Sequence, residues 1–141
     1  MLVNVSYSNS DITKKVDAEV GKPFTLKERF KMGGIGSPKL EITEASVEIG
    51  NLLILDNNAN RCNIEMRPKG IIIGFRSLLE SYALVIPYYK LTVYKGDFAI
   101  YSIYRDNYFI KVRSDTKAIQ KFFKKLLDYK ADNAPTNIED L

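Results

Sequence analysis

Alternation of apolar and polar residues is the clearest pattern in this chain, and it begins at residue 61. Residues 61–67 alternate without a break, with apolar side chains at every even position. A side-chain period of two is what a strand with one buried face requires. Pro68 and Gly70 then supply turn chemistry, and an apolar run follows at once. Residues 61–75 are therefore predicted to form a hairpin.

Four further short segments have strand character, and no helical pattern separates them; they are residues 82–86, 91–94, 98–104 and 108–113. Pro87 ends the first of these, because proline cannot donate to a ladder. Asp106-Asn107 is predicted to be a two-residue hairpin loop, since both residue types tolerate positive φ. Together these segments predict a meander that closes or folds over.

The pattern changes to a helical one after Ser114-Asp115, where either side chain can cap a helix. Apolar residues then follow the i, i+3, i+4, i+7 spacing of an amphipathic helix over residues 116–131; they are Ile119, Phe122, Phe123 and Leu126. Upstream, residues 46–56 are predicted to form one or two strands, and residues 40–45 are compatible with another. A strand over 2–7 and a weak helical pattern over 11–20 precede them.

The order of these elements, about seven strands and then one amphipathic helix, resembles the bacterial form of the pleckstrin-homology superfold. Two local runs are also similar to bacterial members: Pro68-Lys69-Gly70-Ile71-Ile72-Ile73 and Val85-Ile86-Pro87-Tyr88-Tyr89-Lys90-Leu91. The resemblance implies a mostly-β fold, a seven-stranded bent barrel of two orthogonal antiparallel sheets capped by the C-terminal helix. The alternative is an α+β open sheet with one packed helix, as in a cystatin-like arrangement.

The resemblance also suggests a division of the chain. Residues 40–131 would form the domain, and residues 1–39 an N-terminal extension of uncertain structure that includes a flexible glycine-rich stretch over 32–38. Residues 132–141 are predicted to be a polar tail. No run approaches the roughly 20 apolar residues that span a bilayer, and no signal peptide is apparent. The expected location is the cytoplasm.

Composition removes several classes of chemistry. The 141 residues are 45% hydrophobic and 27% charged, which is typical of one globular domain. Histidine is absent and Cys62 is the single cysteine, so an internal disulfide, a Cys/His zinc cluster and a histidine-activated nucleophile are excluded. Cys62 alternates with Ile64 and Met66 on one face and is interpreted as a core residue. We expect no enzymatic activity and no cofactor.

One segment resembles a metal motif without completing it. Residues 56–60 match the opening of an EF-hand calcium loop. The sixth and twelfth loop positions, which need Gly and Glu, hold Arg61 and Arg67. A polar hairpin turn is the better interpretation, and no metal site is predicted.

Positive charge is concentrated towards the C-terminus. The whole chain carries +4, and residues 105–131 contain eight basic and three acidic side chains. A solvated helix face explains this, and so does attraction to anionic lipid or nucleic acid. The candidate anion or partner surface is Lys111, Arg113, Lys117, Lys121, Lys124 and Lys125.

Family knowledge is unfavourable to a phosphoinositide site. Lipid-binding members of the resembled family hold the headgroup with Lys and Arg around the loop joining the first two strands. The corresponding residues 56–60 contain no lysine, and only Arg61 lies at their edge. Arg76 and Lys90 are further cations that could line a pocket.

Tyrosine is concentrated in the strands, since seven of nine tyrosines lie between residues 82 and 108. Half-buried sheet positions explain them, and so does an interface; the candidate interface aromatics are Tyr88, Tyr89, Tyr94 and Tyr101. If residues 82, 84 and 86 face inward, Ala83 and Val85 form a second apolar face for another copy or a partner.

The sequence therefore predicts a non-enzymatic binding or assembly module. A protein partner or self-association is the first expectation. The alternative is anionic membrane lipid or nucleic acid bound through the C-terminal helix. No specific small-molecule ligand is indicated.

Overall fold

Residues 1–7, 9–54, 60–96 and 99–133 are described by the computed structural model, and their strands form one antiparallel sheet with helices packed on it. The elements in chain order are β1 Leu2–Asn4, α1 Ser10–Val20, α2 Leu26–Met32, β2 Leu40–Ala45, α3 Val47–Ile54, β3 Arg61–Arg67, β4 Gly70–Ser77, β5 Glu80–Pro87, a 3-10 helix Tyr88–Lys90, β6 Thr92–Lys95, β7 Ile100–Arg105, β8 Tyr108–Arg113 and α4 Lys117–Asn133. The predicted tail over 132–141 lies outside the described residues from 134 onward.

Strand β2 joins two halves of the sheet. The strand order is β1-β5-β4-β3-β2-β8-β7-β6. The first residues of β2 pair with β3, whereas Ile42 to Ala45 pair with β8, and the register shifts between Ile42 and Glu44. Such an irregularity bends a strand and increases its local twist, so β2 can serve both halves.

The mostly-β prediction is confirmed, but closure into a barrel is wrong. The two ends of the strand order are β1 and β6, and they do not pair with each other. The free edge of β5 is instead occupied by β1, which comes from the first residues of the chain. The sheet is therefore open, which is consistent with the alternative α+β arrangement.

The hairpin predicted over residues 61–75 is confirmed as β3 and β4, paired from Cys62↔Phe75 to Arg67↔Gly70. Packing as well as turn chemistry requires glycine at position 70, because a Cβ there would lie 2.3 Å from the Ile86 carbonyl oxygen. The β7–β8 hairpin is also confirmed, and Asp106 at its turn has φ of 50°.

The strands predicted over residues 46–56 are wrong, because Val47–Ile54 is the helix α3. Ile49 and Leu53, one turn apart, face the core, while Val47 and Ile54 are exposed. A short apolar run fits a strand or a helix equally by periodicity. Residues 55 and 56 of that prediction lie outside the described residues, as do residues 57–59.

The C-terminal helix is confirmed as α4, and its four predicted apolar residues are all buried. Phe123 stacks on Tyr101 with ring centroids 4.0 Å apart. Cys62 is also a core residue, as the alternation predicted.

The second apolar face of β5 is covered by the chain itself. Ala83 and Val85 pack against Val16 and Val20 of α1 in a small core of their own. The strand and helix expected near the N-terminus are confirmed as β1 and α1. The face on which the sequence placed a partner is therefore occupied by α1.

Candidate functional site

The six cations of the predicted C-terminal surface fall into two groups. Lys111 and Arg113 of β8 pair with Glu44 and Glu41 of β2 at 3.3 and 3.9 Å. The remaining four belong to α4 and form no salt bridge with a described residue; they are Lys117, Lys121, Lys124 and Lys125. The cations without a carboxylate partner among the described residues are therefore on α4 and not on β8.

Arg105, which the sequence counted in the same basic segment, is a structural residue. One guanidinium nitrogen donates to the Val85 carbonyl oxygen, and another lies 2.9 Å from the Glu19 carboxylate. The side chain is only 9% exposed. Its charge is therefore neutralised inside the fold.

Helix α2 lies beside the C-terminal half of α4. The Lys125 ammonium donates to the carbonyl oxygens of Gly33 and Gly34, at 3.3 and 3.0 Å, where α2 ends. Before α2 begins, the ring of Phe24 packs edge-on against Tyr129 at 5.9 Å. Two points of α4, one turn apart, therefore hold the two ends of α2.

No side chain of α2 is fully buried, and only Met32 packs against the core. Leu26 and Phe30 are 81% and 88% exposed, and their i, i+4 spacing places them on one face. Lys27 and Lys31 have the same spacing and are also exposed. The helix thus presents an apolar pair flanked by cations to solvent.

Local sequence explains why α2 forms although it packs so little. Thr25 and Glu28 make a reciprocal capping box at its start, with bonds of 3.0 and 3.2 Å. Gly33 adopts the left-handed conformation at its end, with φ of 70°. This Thr-x-x-Glu and Gly pair was the signal that could have predicted the helix. We name the α2–α4 surface as Leu26, Lys27, Phe30, Lys31, Lys121 and Lys124.

The four candidate interface tyrosines separate by burial. Tyr88 and Tyr101 are buried, and the Tyr88 hydroxyl donates to the Arg67 carbonyl oxygen at 3.0 Å. Burial also raises the pKa of the Tyr88 phenol. Tyr89 and Tyr94 are exposed. The interface prediction therefore rests on Tyr89 and Tyr94.

A second cationic surface lies on the outer face of the β3–β4–β5 part of the sheet, where residues of these three strands and of neighbouring loops line a groove of about 1090 Å³. The residues that matter below are Lys39, Arg61, Asn63, Glu65, Gly74 and Arg76. We call this the outer-sheet groove. Arg76 was one of two further cations considered from the sequence. The other, Lys90, is a partner of Asp106 at 3.7 Å and does not line the groove.

The part of the chain that the structure describes offers few groups with the properties of catalytic residues. Burial raises the pKa of the Cys62 thiol to about 12, so the thiolate nucleophile is not available at neutral pH. Across the same residues, no three Cys, Asp or Glu side chains cluster as metal ligands would. None of the described helices is long and apolar enough to cross a membrane.

Comparison of the chain with protein-family models, with curated proteins and with solved structures found no match.

Proposed function

We propose that this protein is a non-enzymatic binding module with a pleckstrin-homology-like fold, and that its α2–α4 surface docks on an anionic membrane. The strands β2–β8 support the fold part of the proposal. Among these seven strands, β2 pairs with both β3 and β8. The helix α4 follows β8 and has its apolar face in the core. β1, α1, α2 and α3 are additions to that arrangement.

The observation that carries the functional part is the exposed apolar pair of α2. Fully burying one Leu or Phe side chain is worth about 1.5–3 kcal/mol. Leu26 and Phe30 project away from the core, to which α2 contributes only the half-buried Met32, so this gain is available to an external apolar phase. The hydrocarbon boundary of a bilayer is such a phase.

Charge complementarity selects an anionic bilayer. Lys27 and Lys31 flank the apolar pair, and Lys121 and Lys124 lie on the first turns of α4 before its contact with α2. Each lysine near an anionic leaflet contributes about 1 kcal/mol, and salt weakens that attraction. A small apolar insertion and a polybasic patch are each weak, whereas their combination gives stable binding.

Leu26 and Phe30 also distinguish this partner from a nucleic acid. Phosphate backbones are bound by cations and polar donors, and an exposed Phe can stack on an unpaired base, but the exposed Leu26 has no counterpart in either contact. A cytoplasmic location, which the sequence predicts, is part of the proposal, because anionic lipids are concentrated in the leaflet that faces the cytoplasm.

Co-sedimentation with vesicles tests the proposal. We expect the full chain to bind phosphatidylserine-containing vesicles at low salt and to bind neutral phosphatidylcholine vesicles far less. Phe30→Ser and the double change Lys121→Gln/Lys124→Gln should each weaken the anionic binding several-fold. Val47→Ser is the matched control, because Val47 is another exposed apolar residue on a short helix.

Two results would overturn the membrane proposal. One is equal binding to anionic and neutral vesicles or to neither. The other is anionic binding that Phe30→Ser leaves unchanged. Salt-sensitive binding to a DNA or RNA oligonucleotide without vesicle binding would indicate the nucleic-acid alternative in its place.

A further inference from the structure

The outer-sheet groove has an electrostatic feature that the fold does not require. Arg76 pairs across the sheet with Ser81, and Asn63 pairs with Gly74. The same β3–β4 register, continued by one residue, sets Arg61 opposite Arg76. Like charges directly opposite each other in a sheet are destabilising, so this pair needs a compensating anion or costs stability.

No described residue supplies that anion. Arg61, Arg76 and the neighbouring Lys39 form no salt bridge with any part of the chain that the structure describes. Glu41 is the cross-strand partner of Arg61, but its carboxylate lies 3.9 Å from Arg113. The carboxylate in the groove, Glu65, is bonded to Arg67.

The floor of the groove is flat. Gly74 has no side chain, and its cross-strand partner Ala83, at the edge of the groove, is covered by Val16 and Val20 of α1. A Cβ at Gly74 would meet the Asn63 side-chain oxygen at 3.0 Å, so a larger residue would crowd the polar group beside it. The glycine leaves backbone and the Asn63 amide accessible side by side between the cations.

We propose that the outer-sheet groove binds a phosphate ester, with Arg61 and Arg76 holding the phosphate and Lys39 adding charge. Guanidinium groups present paired donors that match phosphate oxygens. Three cations against one already bonded carboxylate favour a dianion over a monocarboxylate. The volume of about 1090 Å³ is slightly above the range of roughly 300–1,000 Å³ of ordinary ligand sites and far larger than an inorganic ion requires. The organic part of the ester then lies over Gly74 and Asn63, beside the part of the sheet that α1 covers.

Amide-resolved NMR titration of the full chain with inorganic pyrophosphate tests the site. We expect saturable shifts concentrated at the amides of residues 39, 61–63 and 74–76. Acetate at equal ionic strength should produce much smaller ones. Arg61→Gln and Arg76→Gln should each weaken pyrophosphate binding about tenfold or more, the effect of losing one charge-assisted contact. Both arginines are exposed, so neither change should unfold the protein.

Lys117→Gln/Lys121→Gln is the matched control, because it removes two cations from a different surface. Shifts that disappear in this control, or that Arg61→Gln and Arg76→Gln leave in place, would overturn the proposal. The absence of any saturable shift would also overturn it.

Two further binding experiments distinguish a free phosphate ester from a lipid headgroup. Tighter binding of a nucleoside monophosphate than of pyrophosphate, dependent on Arg76, supports a free ester. Arg76-dependent preference for phosphatidic acid over phosphatidylserine vesicles supports a lipid headgroup. Because this site and the α2–α4 surface share no residue, Phe30→Ser should leave pyrophosphate binding unchanged, and the two proposals fail independently.

Discussion

Replacing Arg105 by methionine should destabilise the protein strongly, although the sequence places this residue in a solvated basic segment. The Arg105 guanidinium lies 2.9 Å from the Glu19 carboxylate and also donates to the Val85 carbonyl oxygen. These contacts join α1, β5 and β7, which are far apart in the chain. Methionine keeps much of the side-chain volume and removes the charge and all donors.

The expected loss is about 3 kcal/mol. Removing one partner of a buried ion pair costs about 3–5 kcal/mol, because the other charge stays buried without compensation. Glu19 is 27% exposed, and its other carboxylate oxygen lies 3.7 Å from the N-terminal ammonium, so hydration and this second cation place the cost at the lower end. That second oxygen is fully buried and accepts no hydrogen bond from a described residue, so the ammonium does not replace the arginine entirely. Against a typical stability of about 5–15 kcal/mol, this loss is large.

Urea denaturation followed by far-UV circular dichroism measures the effect, since the chain contains no tryptophan. Arg113→Met is the matched control. Arg113 is 55% exposed and 3.9 Å from its carboxylate partner, so its loss should cost less than about 1 kcal/mol. Adding Glu19→Leu to Arg105→Met should recover about 1–3 kcal/mol relative to additivity. The reasoning is refuted if Arg105→Met costs no more than Arg113→Met, or if the double change is additive.

Two further predictions concern tight packing. Gly70→Ala should cost about 1–3 kcal/mol or more in urea denaturation, because its Cβ would meet backbone atoms of Ile86 and Pro87 at 2.3 and 2.7 Å; Gly36→Ala, with nothing within 4 Å, is the control, and equal effects would contradict the packing. The Cys62 thiol should react with a disulfide reagent at pH 8 only slowly in the native protein and at once in denaturant, because burial raises its pKa to about 12; rapid native reaction would show that the thiol is accessible.

Local patterns were sufficient for the elements whose signals lie within a few residues. The alternation over residues 61–67 and the turn at Pro68 determine the first hairpin, and the spacing of Ile119 to Leu126 determines α4. Closure was not predictable in this way, because the edge of β5 is occupied by a segment about 80 residues earlier in the chain. The helix α3 was missed because its apolar run has no clear period.

The candidate surfaces were predictable only in part, for a related reason. The sequence identified the lysines of α4 as exposed, and their positions on the helix follow directly from its period. It could not separate Arg105 from them, because the partner of Arg105 is Glu19 of α1. The cations of the outer-sheet groove come from separate strands, so only the register brings Arg61 and Arg76 together. In each case long-range pairing, and not residue type, decides which charge is neutralised.

The uncovered apolar area of the N-terminal region gives the strongest reason to look for a docking partner at α2. The outward side chains of β5, Ala83 and Val85, were predicted to form an apolar face for a partner. They are covered by Val16 and Val20 of α1. A seven-residue helix is unstable by itself, so α2 persists because its caps and the contacts at Phe24 and Lys125 hold it. None of these contacts uses its apolar face. A helix held at both ends with its apolar face outward is ready to bind without further ordering, which lowers the entropic cost of docking. The flexible glycine-rich stretch predicted immediately after α2 is wrong and adds no such cost, because Ile35 is buried and the backbone of residues 35–37 is hydrogen-bonded to Ile64 and Met66 of β3.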